Sequence, residues 1–260
     1  MLISAKELQG YTIHARDGDL GGVRTFYFDD EEWCIHSMVV DTGSWFSGRH
    51  VLIQVDALGQ PDRQRQRLSV DLTQEEVRNS PEVPKHKASS SYDATAMQTY
   101  GGRNVYWSTD PFVLHSVAAR PASMPIPSAP PVADTAPRLA DMQGRGALLR
   151  STREVMGYYI QATDGQIGHV EDFVIDTATW HIRYMIVDTR NWWPGKKVLV
   201  SPSWIDQVQW DTQQVTVGLS RDHIKNGPEF DASVPLDRDY EVRLFDHYGR
   251  STYWGEDGTA

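Results

Sequence analysis

Hydrophobic and polar residues alternate along this chain in short runs that are separated by Gly, Asp and Pro. Alternation with a period of two is typical of β-strands, because successive side chains of a strand point to opposite faces. In the first half the pattern predicts strands at residues 11–16, 23–29, 33–41, 49–54 and 68–72. The run 33–41 has apolar residues in both alternating sets, which indicates a strand covered on both faces.

Turn and capping residues predict where the strands and a few short helices begin and end. Asp-Gly pairs follow the first predicted strand of each half and predict hairpin turns: Asp17-Gly18 and Asp164-Gly165. Each half opens with the spacing of a capping box, which predicts a helical turn: Ser4 with Glu7, and Ser151 with Glu154. N-caps after the last strand of each half predict short helices that stop before a proline: Thr73 before Pro81, and Ser220 before Pro228.

The second half of the chain repeats the first at a constant offset of 147 positions, the difference between Gly10 and Gly157. The offset holds without a gap as far as the Tyr-Trp pairs, Tyr106-Trp107 and Tyr253-Trp254. Two unrelated domains would not keep register over such a length, so the sequence indicates a duplication. We therefore predict a mainly all-β fold of two small β-barrels, each with about five or six short strands. Each Tyr-Trp pair is expected in a tail strand that folds back on its barrel or onto the other copy.

A segment of different composition separates the two copies. Residues 118–137 are rich in Pro, Ala and Ser and contain almost no large apolar side chains. Such a segment cannot bury enough surface to fold, and its prolines favour an extended chain. The predicted organisation is therefore a first barrel at 1–107, a flexible Pro/Ala-rich linker at 108–147, and a second barrel with a C-terminal tail at 148–260.

One set of residues recurs in the same order in both copies: a Gly before the first strand, an Asp-Gly turn, Val-Asp-Thr, a Trp, and a Gly-basic pair before an apolar strand. In this pattern residues 2–82 and 149–229 resemble the PRC-barrel family. The resemblance implies a small β-barrel that works mainly through protein contacts, in a family without shared catalytic residues. The family's barrel occurs in the photosynthetic reaction-centre H subunit and in the ribosome maturation factor RimM.

Charge and composition narrow the classes of partner. The net charge of −10 makes nucleic acid an improbable partner, because phosphate-backbone binding needs clustered Lys and Arg. No run of about 20 apolar residues is present, so direct membrane insertion is not expected. The single cysteine, Cys34, can form no internal disulfide, which favours a reducing compartment and a cytoplasmic location. Cys34 lies in an apolar strand and is predicted to be buried and inert.

Residues that could carry chemistry are compared between the copies, because a shared site would need shared groups. No histidine is matched at the offset of 147, so the histidines are interpreted as ordinary surface or half-buried side chains. Three pairs of carboxylates are matched: Asp17 with Asp164, Asp29 with Asp176, and Asp41 with Asp188. They could form a metal or acid–base cluster, but each lies beside a predicted turn, where Asp accepts backbone N–H bonds. We interpret them as structural and predict no catalytic residue, no metal site and no cofactor.

The strongest candidates for a functional role are aromatic. A pair of aromatic residues precedes the Gly-basic pair of each copy, in a loop where large apolar side chains need a reason. They either cover the end of their own barrel or act as contact anchors, since Trp and Arg are enriched in binding hot spots. The candidate protein-contact residues are Trp45, Phe46, Arg49, Trp192, Trp193 and Lys196.

The sequence therefore predicts a non-catalytic protein-interaction or scaffold module whose protein partner is unknown. The two barrels are expected either to pack on each other or to bind a bivalent partner together, and a homo-oligomer is a further alternative. Three alternatives stay open. The first two follow from the resemblance: an accessory or assembly protein of a photosynthetic-type membrane complex, and a ribosome or RNA-maturation factor. The third is an enzyme with a pocket between the barrels.

Overall fold

The computed structural model of the chain describes residues 1–43, 48–80, 92–93, 97–100, 103–106, 148–189 and 196–254. The predicted linker at 108–147 and the aromatic residues 45, 46, 192 and 193 lie outside these ranges. The first half contains β1 (Leu2–Ser4), α1 (Ala5–Gln9), β2 (Thr12–Ala15), β3 (Gly18–Asp29), β4 (Ile35–Asp41), β5 (His50–Gln54), β6 (Leu58–Asp62), β7 (Arg67–Val70), α2 (Gln74–Arg78), β8 (Tyr92–Asp93), β9 (Met97–Tyr100) and β10 (Arg103–Tyr106).

The second half repeats most of these elements at the offset of 147. It contains β11 (Leu148–Ser151), α3 (Thr152–Val155), β12 (Tyr159–Ala162), β13 (Gly165–Asp176), β14 (His181–Asp188), β15 (Lys197–Val200), β16 (Ile205–Gln209), β17 (Gln214–Val217), α4 (Arg221–Asn226) and α5 (Arg238–Tyr248). The predicted mainly β fold is therefore confirmed, and α2 and α4 are the short helices expected after the last strand. Among the helices of the described ranges, none combines the length and hydrophobicity needed to cross a bilayer.

The chain divides into two compact units. The C-unit consists of Met1–Glu7, Val155–Thr177 and Ile182–Ala260, and the N-unit consists of Leu8–Glu154 and Ala178–His181. Each unit is built around one main sheet, so the structure contains two small β domains.

The two sheets have the same strand order. It is β15-β14-β13-β12-β17-β16 in the C-unit and β5-β4-β3-β2-β7-β6 in the N-unit. Most neighbours are antiparallel, but β12 with β17 and β2 with β7 are parallel. Within the described ranges no backbone pairing joins the two end strands of either sheet, so the sheets are not closed by hydrogen bonds. The sequence pattern also missed β6 and β16, whose residues do not alternate strongly.

The opening strands are exchanged between the copies. In the C-unit β1 pairs antiparallel with the end of β13, where Ile3 lies opposite Ile175. In the N-unit β11 pairs antiparallel with the end of β3, where Arg150 lies opposite Phe28. Because β1 and β11 are equivalent in the repeat, the opening strand of each copy pairs with the long strand of the other copy. The domain bounds predicted from the sequence leave each opening strand in its own copy and so do not include this exchange. These bounds stay a prediction.

The hairpin turns before β4 and β14 each hold a Trp in the left-handed region, with φ of 57° at Trp33 and 54° at Trp180. The prediction that the strand begins at Trp33 is wrong, because β4 begins at Ile35. The Trp33 N–H donates to the Asp29 carbonyl at 2.9 Å and closes the turn. A left-handed non-Gly residue costs about 1–2 kcal/mol, which the packing of the buried Trp33 ring on Phe28, at a centroid distance of 5.0 Å, helps to offset.

Each unit has its own apolar core, formed by the inward faces of the central strands. In the N-unit the fully buried side chains include Ile13, Phe26, Phe28, Ile35 and Met38. In the C-unit they include Ile160, Val170, Phe173, Tyr184 and Met185. The run 35–40 is buried at every position, which confirms the prediction of a strand covered on both faces. Cys34 is buried as well, as predicted.

The copies differ after their last short helix. In the C-unit α5 begins at the N-cap Asp237, whose carboxylate accepts from the Tyr240 N–H at 2.8 Å, and ends at Gly249 with φ of 59°. In the N-unit the equivalent part of the chain contains the antiparallel pair β9–β10. The buried apolar positions of the helix are Leu244, Phe245 and Tyr248, and the first copy has Met97, Gln98 and Gly101 at the equivalent places. The apolar stripe that buries the helix is therefore not repeated.

Candidate functional site

The loops that carry the candidate aromatic residues are closed at their base in the same way in both units. The N–H and Oγ1 of Thr42 both donate to the Arg49 carbonyl at 3.0 Å. The N–H and Oγ1 of Thr189 donate to the Lys196 carbonyl at 3.0 Å and 2.7 Å. The aromatic residues lie in the chain between these paired positions and outside the described residues, so their role as contacts stays a prediction.

The basic residue at each loop exit binds the C-terminal end of the following short helix. The Arg49 guanidinium donates to the carbonyls of Arg78 and Ser80, each at 3.4 Å. The Lys196 ammonium donates to the Gly227 carbonyl at 2.5 Å. A cation is favourable there because the last carbonyls of a helix have no partner within the helix. Both candidate contact cations therefore also stabilise their own unit.

Lys196→Met is expected to lower the free energy of unfolding of the C-unit by about 0.5–1.5 kcal/mol, because it removes a charged donor from the helix end. Urea denaturation measures the change. Lys225→Met is the control, since Lys225 is exposed in the same helix, and it is expected to change stability by less than about 0.5 kcal/mol. Equal stability of the two variants would contradict the capping role of Lys196.

The carboxylates of the Asp-Gly turns bind the N-terminal ends of the same short helices. Asp17 accepts from the Gln74 N–H at 2.7 Å, and Asp164 accepts from the Arg221 N–H at 2.7 Å. The backbone hydrogen bond from Arg221 lowers the pKa of the Asp164 carboxyl. Each of these carboxylates therefore ties a hairpin turn to the start of a helix.

Asp29, Asp41 and Asp176 also lie against donors or cations. Asp29 accepts from the N–H groups of Glu31 and Glu32 at 2.7 Å and 3.0 Å, and Asp41 accepts from the Gly43 N–H at 2.9 Å. Asp176 lies 3.4 Å from the α-amino group of Met1 and 3.6 Å from Arg183, and Asp188 is buried. Within the described ranges, no group of three or more His, Cys, Asp or Glu side chains is placed to hold a metal ion.

A partly exposed cluster of aromatic and arginine side chains lies on the C-unit. We call it the aromatic–arginine surface, and it consists of Arg183, Arg238, Tyr253 and Trp254, together with the exposed Val242, which lies one helical turn after Arg238 in α5. The Arg183 guanidinium lies 4.2 Å from the centre of the Tyr253 ring, and the Arg238 guanidinium lies 3.9 Å from that of Trp254. Tyr253 is 37% exposed and Val242 is 41% exposed. Ordered Tyr, Trp and Arg side chains of this kind are the commonest hot-spot residues of protein interfaces.

A buried carboxylate holds this surface in place from below. Glu241 is 2% exposed, and its Oε1 accepts from the hydroxyls of Tyr184 and Tyr253 at 2.6 Å and 2.8 Å. Arg238 binds the other carboxylate oxygen at 3.0 Å. Burial and the hydrogen bond to Glu241 raise the pKa of Tyr253 to about 12, and the same causes raise the pKa of Tyr184. Both hydroxyls therefore stay protonated as donors at neutral pH.

The sequence pointed to part of this surface. It singled out Tyr253-Trp254, but the expected tail strand is wrong, because these residues form a turn that packs on α5. The folding back of the tail on its own copy was one of the two arrangements expected. Arg183 and Glu241 were missed, since they lie 70 and 12 positions before Tyr253 and only the tertiary structure brings them together.

A family model matches part of the chain. The search of curated proteins gave no significant match. Residues 151–221 match the family model of the PRC-barrel domain. The matched stretch runs from the end of β11 to the start of α4 and contains the strands from β12 to β17. The second copy of this chain is thus similar to the PRC-barrel domain from Ser151 to Arg221.

Proposed function

We propose that this protein is a non-catalytic protein-binding module made of two PRC-type copies, and that it recognises a protein partner through the aromatic–arginine surface. The main support for the proposal is that this surface combines Tyr, Trp and Arg side chains that hold one another in place. Tyr253 and Trp254 are exposed in part, yet each ring is covered on one side by an arginine. Side chains that are already ordered lose little conformational entropy on binding, so they favour affinity.

The assignment of the first copy to the same family is supported by its elements. The strands β2, β3 and β7 and the helix α2 begin 147 positions before β12, β13, β17 and α4. The sheet order and the parallel pair also recur. The matched family model covers the second copy alone, so the tandem arrangement belongs to the proposal.

A non-catalytic role is supported by where the recurring carboxylates lie. Asp17, Asp29, Asp41 and Asp164 accept backbone N–H bonds at turns and helix ends. A general acid or base needs a free position facing a substrate. We further propose that the aromatic loops, with Trp45, Phe46, Trp192 and Trp193, supply additional contacts.

The test is affinity purification of the tagged full-length protein from its own cells, with quantitative mass spectrometry of the recovered partners. Val242→Glu is expected to reduce the recovery of specific partners at least about tenfold, since burying an unpaired charge beside the aromatic side chains is expected to cost about 1.4 kcal/mol or more. Val234→Glu is the matched control, because Val234 is a 57% exposed valine of the same unit outside the surface.

Two results would contradict the proposal. If Val242→Glu and Val234→Glu recover the same partners in the same amounts, the aromatic–arginine surface is not the contact. The double changes Trp192→Ala with Trp193→Ala, and Trp45→Ala with Phe46→Ala, test the loops in the same way. If all of these variants retain every partner, the protein-binding role of both sets of residues is wrong.

A further inference from the structure

Asp172 of β13 anchors the N-terminal segment to the C-unit. Its side chain is 4% exposed. The two carboxylate oxygens accept from the Lys6 N–H at 3.2 Å and 3.3 Å, and one of them also accepts from the Phe173 N–H at 2.8 Å. The Ser4 side chain is a further hydrogen-bond partner. The carboxylate thus binds the first turn that follows the exchanged strand β1.

The equivalent position in the N-unit carries no charge. It is Thr25, 147 positions before Asp172, and it is fully buried. Its hydroxyl lies 2.9 Å from the Ser151 hydroxyl and 3.1 Å from the Thr152 hydroxyl. The Arg153 N–H donates to Thr25 at 3.4 Å. The same docking of an opening segment therefore depends on a carboxyl group in one unit and on a neutral hydroxyl in the other.

The charged neighbours of Asp172 are few. Glu171, the preceding residue, lies 3.5 Å from the Lys6 ammonium and 2.9 Å from the Lys197 ammonium. The α-amino group of Met1 lies 3.4 Å from Asp176 at the end of the same strand. Asp172 differs from these groups in that it is almost completely buried.

We propose that Asp172 makes the docking of Met1–Glu7 onto the C-unit stronger at low pH, whereas the equivalent docking of 148–154 in the N-unit depends on a neutral hydroxyl and is not strengthened at low pH. When the segment is docked, the carboxyl group is shielded from water, and when the segment leaves, the group becomes hydrated. Hydration favours the charged form, so release of the segment is coupled to loss of a proton. A protonated Asp172 carboxyl group still has one oxygen that can accept from the Lys6 N–H, and its own O–H group can donate to the Ser4 hydroxyl oxygen.

The sign of the effect follows from the pKa. Burial raises the pKa of Asp172 from 3.8 to about 6 in the folded unit. The docked state therefore binds the proton more tightly than the undocked state, so docking is stronger below pH 6 and weakens as the pH rises through 6. Between pH 7 and pH 5 the docking equilibrium is expected to strengthen about tenfold.

Amide hydrogen exchange of the full-length protein, read by NMR at pH 5 and pH 7, tests the proposal. After correction for the intrinsic exchange rate, the protection of the Lys6 amide is expected to be about tenfold greater at pH 5. The Arg153 amide is the internal control. Because burial lowers the pKa of His36 in the N-unit to about 4, the protection of the Arg153 amide is expected to be no greater at pH 5 than at pH 7. In Asp172→Thr, which copies the residue of the N-unit, the pH dependence at Lys6 is expected to disappear.

Three outcomes would overturn the assignment. The Lys6 amide could show equal protection at both pH values, or the Arg153 amide could gain as much protection at pH 5 as the Lys6 amide, which would indicate a global effect. The pH dependence at Lys6 could also persist in Asp172→Asn. This variant replaces the carboxyl group at nearly constant volume, and it is the substitute for Asp172→Thr if the threonine variant does not fold. The result does not depend on whether the aromatic–arginine surface binds a partner.

Discussion

Gly168→Ala is expected to lower the free energy of unfolding by about 3–5 kcal/mol, one of the two largest effects we predict. A Cβ atom at Gly168 would lie 2.2 Å from the Asp188 carbonyl oxygen and 3.0 Å from its carbonyl carbon. Both atoms belong to the backbone of the neighbouring strand, so no side chain can move aside. Relief of the clash would require β13 and β14 to separate, which would break ladder hydrogen bonds at the centre of the sheet.

The first copy contains an equivalent glycine, at which the same substitution should have the same effect, and a neighbouring glycine that serves as the control. A Cβ atom at Gly21 would lie 2.0 Å from the Asp41 carbonyl oxygen, and Gly21 has φ of 135°. Gly21→Ala should therefore have the same effect in the N-unit. At the next residue, Gly22, the nearest atom to an added Cβ is the Tyr11 carbonyl oxygen at 3.8 Å, an ordinary contact. Gly22→Ala is expected to be neutral or to stabilise by up to about 1 kcal/mol.

Differential scanning calorimetry of the full-length variants measures both effects. For a unit of this size, a loss of 3–5 kcal/mol corresponds to a fall in Tm of about 10–25 °C. The expected order of Tm is Gly22→Ala at or above the unaltered protein, and Gly21→Ala and Gly168→Ala well below it. If the three variants had the same Tm, the close approach of the two strands at Gly21 and Gly168 would be wrong.

Glu241→Ala is expected to lower the free energy of unfolding of the C-unit by about 2–4 kcal/mol. The Tyr184 hydroxyl is fully buried and would lose its acceptor, and a buried hydroxyl without a partner costs about 1–3 kcal/mol. Tyr253 and Arg238 would lose their shared partner as well. Glu241→Gln keeps one acceptor oxygen and is expected to cost about 1 kcal/mol.

The control is Asp239→Asn, since Asp239 is an exposed carboxylate in the first turn of the same helix. It is expected to cost less than about 1 kcal/mol. Urea denaturation gives the stabilities, and ultraviolet titration follows the tyrosines. In Glu241→Gln the pKa of Tyr253 should fall from about 12, because burial still raises it but the contribution of the Glu241 carboxylate is gone. A loss in Glu241→Ala no larger than in Asp239→Asn would show that the buried carboxylate does not hold the surface.

The candidate site could be predicted only in part. Tyr253-Trp254 and the basic residues Arg49 and Lys196 stand out in the sequence, because they recur in both copies or lie beside aromatic residues. The residues that these side chains contact could not be predicted from the sequence. Lys196 lies 31 positions before Gly227, the residue whose carbonyl it binds. No local pattern joins such positions, whereas the pairing of Arg238 with Glu241 has the three-residue spacing of a helix.

The sequence by itself determined the duplication, the hairpins at Asp17-Gly18 and Asp164-Gly165, and the short helices capped by Thr73 and Ser220. These features depend on periodicity, on the backbone freedom of glycine and on side chains that bond residues a few positions away. Only the tertiary structure decided which copy receives each opening strand. The physical reason is that a strand offers the same backbone N–H and C=O groups to any neighbour, so its alternation shows that it pairs but not with which edge. The choice depends on buried groups such as Asp172 and Thr25, which lie more than 100 positions from the segments that they bind.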